Sequence, residues 1–171
     1  MRFISAILIF VSLLLIAVFM ARLGSPKTTI SPMIGKPLTE FSLPAINSES
    51  DGLTSADLRG KYAILNIFAQ WCITCKYEHP VLMQIKEKNG LPIYGVAWRD
   101  NLTKLNTWLK NDGNPYEKIG ADNDGSLIIK LGVTGAPESF LISPEGIVLF
   151  NYKGALTQKV YEEEILPLVK K

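Results

Sequence analysis

The chain has 171 residues, enough for one globular domain with a full core that needs no disulfide to stay folded. Its net charge of +2, from 18 basic and 16 acidic side chains, gives no electrostatic footprint for nucleic acid. There is no Gly-rich phosphate loop, repeat or low-complexity tract, so those classes are set aside.

The hydrophobic fraction of 47% is high for a soluble domain, and the excess sits at the N-terminus. Residues 3–21, FISAILIFVSLLLIAVFMA, carry no charge and only Ser5 and Ser12 as polar side chains. At about 1.5 Å per residue, a helix of this length matches the roughly 30 Å hydrocarbon core of a bilayer. A cleaved secretory signal is the competing reading. Its apolar region is shorter, and the following MARLGS offers no clean small-x-small site. Residues 1–22 are therefore read as an uncleaved transmembrane anchor. The flanking positive charges (Arg2 and the terminal amine against Arg22 and Lys27, with Lys36 further along) are nearly balanced, lean slightly against an exported domain, and do not settle its orientation. Residues 23–37, rich in Ser, Pro, Thr and Gly, read as a linker, and residues 38–171 as the domain.

Within the domain, the stretch 41–46 is a candidate edge strand. The apolar runs YAILNIF (62–68) and LPIYGVAW (91–98) have strand length. Between them residues 74–88 place Tyr77, Val81, Leu82 and Ile85 at helical spacing, which predicts two parallel strands joined by a right-handed crossover. A second helix follows, with Leu102, Leu105, Trp108 and Leu109 as its stripe and Gly113 as its stop. A short helix over 126–131 ends at Gly132. ESFLIS and IVLFNYKG flank a PEG turn and predict a hairpin, and an amphipathic helix over 157–170 closes the chain. Continuous apolar strands are covered on both faces. The expected fold is α/β: a central mixed sheet with helices on both faces.

Chemistry concentrates in AQWCITCKYEHP, residues 69–80, which hold both cysteines and the single histidine. Cys72 falls where a strand ends and a helix begins. The first helical turn offers unpaired N–H groups and partial positive charge, and so favours a thiolate. With C-x-x-C spacing this lowers a thiol pKa from about 8.5 by one to several units. Cys72 is then the attacking thiolate, which forms a mixed disulfide with a substrate, and the less exposed Cys75 the resolving thiol. A structural staple closing so small a loop stabilises little. Zinc would need more ligands than one C-x-x-C and one His supply, and haem attachment would need His where Lys76 stands. A Cu(I) metallochaperone remains a rival of another class, since thiolates suit soft Cu(I), but no methionine clusters near the pair. His79, rotated about 100° from Glu78 on the helix, reads as a surface or packing residue.

With Trp71 before it, WCITC resembles the thioredoxin superfamily. Pro80 falls at that fold's kinking proline in the active-site helix, and Pro137, in GVTGAPESF, at its cis-proline. Within the superfamily, the stretches GKPLTEFSLP, WLKNDGNPY, LGVTGAPESFLI and EEEILPL make the chain most similar to the membrane-anchored thiol:disulfide interchange proteins of cytochrome c maturation, the CcmG/DsbE family. The resemblance implies a thioredoxin-like fold and a domain on the periplasmic side of the inner membrane. It also implies a reducing role with no cofactor. Electrons would pass from a membrane thiol carrier to the haem-site cysteines of apocytochrome c, or to the protein that holds them. A general reductase or oxidant of exported thiols is the alternative.

The resemblance also implies that Trp71 and Pro137 line the substrate side. Glu78, one turn beyond Cys75, and Glu138, directly after Pro137, are implied to tune the pair, with solvated surface carboxylates as the bland alternative for both. Asn66 takes the place of thioredoxin's buried acid. Two positions depart from the family pattern: Ile73 replaces its usual proline between the cysteines, and Thr134 stands where an aromatic is common.

Overall fold

A computed structural model describes residues 11, 12, 14, 31–88 and 90–169. Val11, Ser12 and Leu14 are helical, and the rest of the anchor reading lies outside the described residues. Among the described residues no helix is long and apolar enough to cross a membrane.

Five strands form the central sheet in the order β5-β4-β3-β6-β7. β3 (Ala63–Phe68), β4 (Ile93–Trp98) and β5 (Lys118–Asp122) run parallel, whereas β6 (Glu138–Ile142) and β7 (Val148–Lys153) add an antiparallel hairpin. β3 is central and wholly buried, as its unbroken AILNIF run requires. Its side chains alternate between two cores. On one face, Ile64 and Phe68 pack with Leu82 and Ile85 of α1 (Ile73–Glu87), Leu105 and Leu109 of α2 (Leu102–Asp112), and Ile165 near the C-terminus. On the other, Leu65 and Ile67 meet Leu127 and Ile128 of α3 (Ser126–Lys130) and Leu58 of the 3-10 turn Ser55–Leu58.

Four details differ from the sequence reading. β5 was not anticipated, because KIGAD is short and carries Gly120. That glycine admits Leu43 and Leu53, whose Cβ atoms would lie 2.6 and 2.9 Å from an added Cβ. The candidate strand at 41–46 shrinks to β1 (Ser42–Leu43), which pairs with β2 (Leu53–Thr54) in a separate two-stranded sheet. Residues 31–37, read as linker, are bonded to the β6–β7 hairpin: Gly35 N–H donates to the Val148 carbonyl at 2.8 Å, and Val148 N–H to that of Lys36 at 3.0 Å. Finally, the C-terminal helix is interrupted. Between α4 (Gln158–Val160) and α5 (Leu166–Val169), residues Tyr161–Ile165 are π-helical, and Leu166 N–H bonds Tyr161 O. Pro167 has no N–H and its ring crowds the carbonyl four residues back, so widening the preceding turn accommodates it.

Candidate active site

The site is built where β3 hands over to α1. Cys72 is the N-cap residue of α1, with extended backbone (φ −83°, ψ 108°), and its Sγ accepts the Cys75 N–H at 3.1 Å. An orphan donor of the first turn thus points at the sulfur that the sequence assigns to attack, and negative charge on that sulfur is favoured. A disulfide joins Cys72 to Cys75, and Cys75 is the more buried of the two. Facing them is the loop before β6, where the Ala136–Pro137 peptide is cis. The Ala136 carbonyl oxygen lies 3.5 Å from Cys72 Sγ. In the disulfide this is a contact; in the thiol the S–H can donate to it.

Trp71 is half exposed, its ring 5.7 Å from that of Trp98. Its indole N–H donates to the Arg99 carbonyl at 3.3 Å. The Asp100 carboxylate accepts the Gln70 N–H at 2.6 Å, and burial raises its pKa. The turn after β4, in which Arg99 has φ 44°, therefore fixes the two residues preceding Cys72. Sequence reasoning missed Arg99 and Asp100, for a polar pair after a strand is common and carries no signal of its own. Asp100→Ala should lower unfolding free energy by about 1–3 kcal/mol, because it strands the Gln70 N–H. Asp100→Asn keeps an acceptor and should lose far less in denaturant unfolding; equal losses would remove this role.

Glu78 is 1% exposed, so the solvated reading does not hold for it. One carboxylate oxygen accepts Asn66 Nδ2–H at 3.0 Å, and the other accepts the Leu156 N–H at 2.8 Å. Burial pushes its pKa up to about 7, against the opposing pull of those two donors. Asn66, on the same face of β3 as Ile64 and Phe68, also donates to Ser139 Oγ at 3.0 Å and accepts the Tyr116 O–H at 2.9 Å. Tyr116 reaches it by stacking on Phe68, with ring centroids 4.4 Å apart, over Gly95 of β4. A Cβ at Gly95 would lie 2.8 Å from the Phe68 ring and 3.0 Å from Tyr116, so only glycine leaves room for this stack. Burial, and then the charge of Glu78, raises the Tyr116 pKa.

Glu138 is buried as well, but elsewhere. As the neighbour of Ser139 on β6 it points to the opposite face of the sheet, the side of Phe140 and Ile142. It accepts Asn151 Nδ2–H at 2.8 Å, and burial raises its pKa. The structure thus places Glu78 on the cysteine side of the sheet and Glu138 on the far side. His79 is buried against Trp108, with centroids 4.7 Å apart, which accords with the packing reading and not the surface one. Tyr77, expected in the core stripe of α1, is instead 76% exposed. It lies one turn from Ile73, itself 70% exposed, so the two share the outer face of the helix.

A C-x-x-C disulfide at a helix N-terminus, opposite a cis-proline on a mixed five-stranded sheet, defines a thioredoxin-like thiol–disulfide oxidoreductase. The AhpC/TSA family matches residues 34–151. The chain is 43% identical to thiol:disulfide interchange protein DsbE of Pseudomonas fluorescens biotype C, over 89% of this chain and 85% of the relative. It is 40% identical to the DsbE of Escherichia coli K12, over 85% and 79%. A thiol:disulfide interchange protein of the thioredoxin family from Chlorobium tepidum superposes with a TM-score of 0.65 at 26% identity, covering 79% of this chain and 96% of that one. The chain belongs to the DsbE family of thiol:disulfide interchange proteins.

Proposed function

We propose that the chain is a membrane-anchored reductant of cytochrome c biogenesis, held in the inner membrane by residues 1–22 with its domain in the periplasm. In this reading a membrane thiol carrier reduces the Cys72–Cys75 disulfide. The dithiol then reduces a disulfide formed between the haem-site cysteines of apocytochrome c, or one in the protein that holds them. The observation that supports a reducing direction is the buried Glu78 carboxyl one turn beyond Cys75. No ion pair among the described residues involves it. Its negative charge opposes thiolate formation nearby, and a dithiol that gains little from ionising is more readily oxidised. Strong oxidants of this class work the other way, by stabilising their reduced form.

Cells lacking the chain should lose covalently haem-bearing c-type cytochromes, and the full chain should restore them while a Cys72→Ser variant does not. Unaltered cytochromes in the deletion strain would remove this role. A reporter fused after Lys171 that is active only outside the cytoplasm should be active, and an inactive one would reverse the topology.

Trp71, Ile73 and Tyr77 leave apolar surface exposed beside Cys72. A protein partner whose sulfur bonds to Cys72 must cover the residues flanking it, and apolar area buried there adds to affinity. Replacing both Ile73 and Tyr77 by Ser should slow exchange with a protein disulfide on the order of tenfold, since each loses an apolar side chain from the contact. Exchange with glutathione disulfide, which buries far less surface than a protein partner, should change much less. Equal slowing with both substrates would place the effect in the cysteine pair and not in docking.

A further inference from the structure

The two hydrogen bonds to Glu78 suit its ionised form. Both carboxylate oxygens accept, one from the Leu156 backbone and one from Asn66 Nδ2, and Glu78 donates nothing. The proposed function needs the protonated form too. After Cys72 has formed a mixed disulfide, Cys75 S–H must lose its proton. The Cys75 sulfur then attacks Cys72 Sγ, the bond from Cys72 to the partner sulfur breaks, and the partner leaves as a thiolate with the electron pair. The two electrons have passed to the partner, and the proton remains with Glu78.

The new O–H is a buried donor that needs an acceptor, and of the two groups bonded to Glu78 only the Asn66 amide carries one that can be turned to it, so the proton belongs on the oxygen facing Asn66. There the Asn66 NH2 offers the new O–H no acceptor. An amide resolves this by a half-turn about its last side-chain bond, which exchanges its oxygen and nitrogen without changing its shape. The neighbours permit it. Ser139 Oγ, now an acceptor from Nδ2, is a hydroxyl that can instead donate. Tyr116, now a donor to Oδ1, is a hydroxyl that can instead accept. Asn66 is fully buried, away from bulk solvent. Tyr116, from the loop before β5, feels the Glu78 charge, and Cys75 stands one turn before Glu78 on its own helix.

We propose that Asn66 is a proton-responsive positioning residue: its amide turns over when Glu78 takes the Cys75 proton, and Ser139 and Tyr116 re-point their hydroxyls to match. A permanently acidic side chain at this position would repel the Glu78 carboxylate, and an apolar one would leave the oxygen that faces it without a partner in either state. Asparagine serves both. The inference rests on Glu78 being the proton acceptor.

The test uses the detergent-solubilised full chain in its disulfide form, where no thiol titrates. In NMR spectra at high pH the Asn66 side-chain NH2 should show Overhauser contacts to the Ser139 Hβ protons. As Glu78 is protonated these should give way to contacts with the ring protons of Tyr116 beside its hydroxyl. An NH2 that stays on the Ser139 side throughout makes Asn66 a fixed donor and overturns the proposal. Kinetics give a second reading. Asn66→Leu and Glu78→Gln should each slow the displacement of glutathione from Cys72 by Cys75 on the order of tenfold, with the double variant no slower than either alone. A wild-type rate for Asn66→Leu overturns the relay while leaving Glu78 as acceptor. A wild-type rate and pH profile for Glu78→Gln overturns the acceptor role itself, and the relay with it.

Discussion

Cys75→Ala should convert the protein into a trap: partners accumulate as mixed disulfides on Cys72 and appear as higher bands on a non-reducing gel that vanish on reduction. The reason is the division of labour fixed by the turn at the start of α1. Cys72 Sγ holds the Cys75 N–H and the positive end of the helix, so it keeps its thiolate character when the second sulfur is removed. What is lost is the nucleophile that releases the partner. Because the nitrogen of residue 75 supplies the hydrogen bond, alanine there preserves the attacking geometry. Cys72→Ser should lose exchange altogether and trap nothing, since Cys75 is buried beneath it. The trapped partners identify the electron acceptor directly. Absence of any adduct in Cys75→Ala, or adducts on Cys75 in Cys72→Ser, would reverse or remove these roles.

The second large effect concerns stability. Glu78 is buried with its pKa raised from 4.5 to about 7, so the folded chain holds a proton that the unfolded chain releases. Between about pH 4.5 and pH 7 the native state binds more protons than the unfolded one, and stability must fall as pH rises through that window. It is at its fullest below pH 4.5 as far as this group is concerned, and levels off above about pH 7. The shift corresponds to roughly 3 kcal/mol across the window, each pKa unit being about 1.4 kcal/mol. Glu78→Gln keeps the shape and hydrogen-bonding capacity of a neutral side chain but cannot ionise. It should flatten this dependence and leave the protein at pH 8 more stable than wild type, although slower to resolve mixed disulfides. Denaturant unfolding of the disulfide form at several pH values measures it. A parallel pH dependence in wild type and variant would mean that Glu78 titrates normally.

Much of the architecture was legible in the residues. β3, β4 and the β6–β7 hairpin announced themselves as apolar runs, because strands covered on both faces have little freedom in composition. The cysteine pair was legible because its chemistry needs a strand-to-helix junction, and the sequence shows one. What escaped notice depends on contacts between residues distant in the chain. β5 is defined by the sheet edge it joins and by the room that Gly120 leaves for Leu43 and Leu53. Asp100 matters only because the turn after β4 meets Gln70. Glu78 could be placed one turn from Cys75 by helical periodicity, but not given its partners Asn66 and Leu156, nor the Ser139 and Tyr116 that bond Asn66 in turn, since the four come from separate segments. Periodicity also misled at Tyr77, where helical spacing suggested a core position and the residue faces outward. Glu138, adjacent to Pro137 in the chain, illustrates how strand alternation can put a neighbour of the site on the other side of the sheet.

A reducing role depends on the direction in which the Cys72–Cys75 couple drives electrons, and the reduction potential of the full chain equilibrated with glutathione measures that most directly. A value between about −200 and −270 mV, the range from glutaredoxins to thioredoxin, or below it, is the predicted result for a reductant fed from the membrane. A value near about −120 mV, that of a strong periplasmic oxidant, would make the protein a disulfide donor and contradict the role proposed for it.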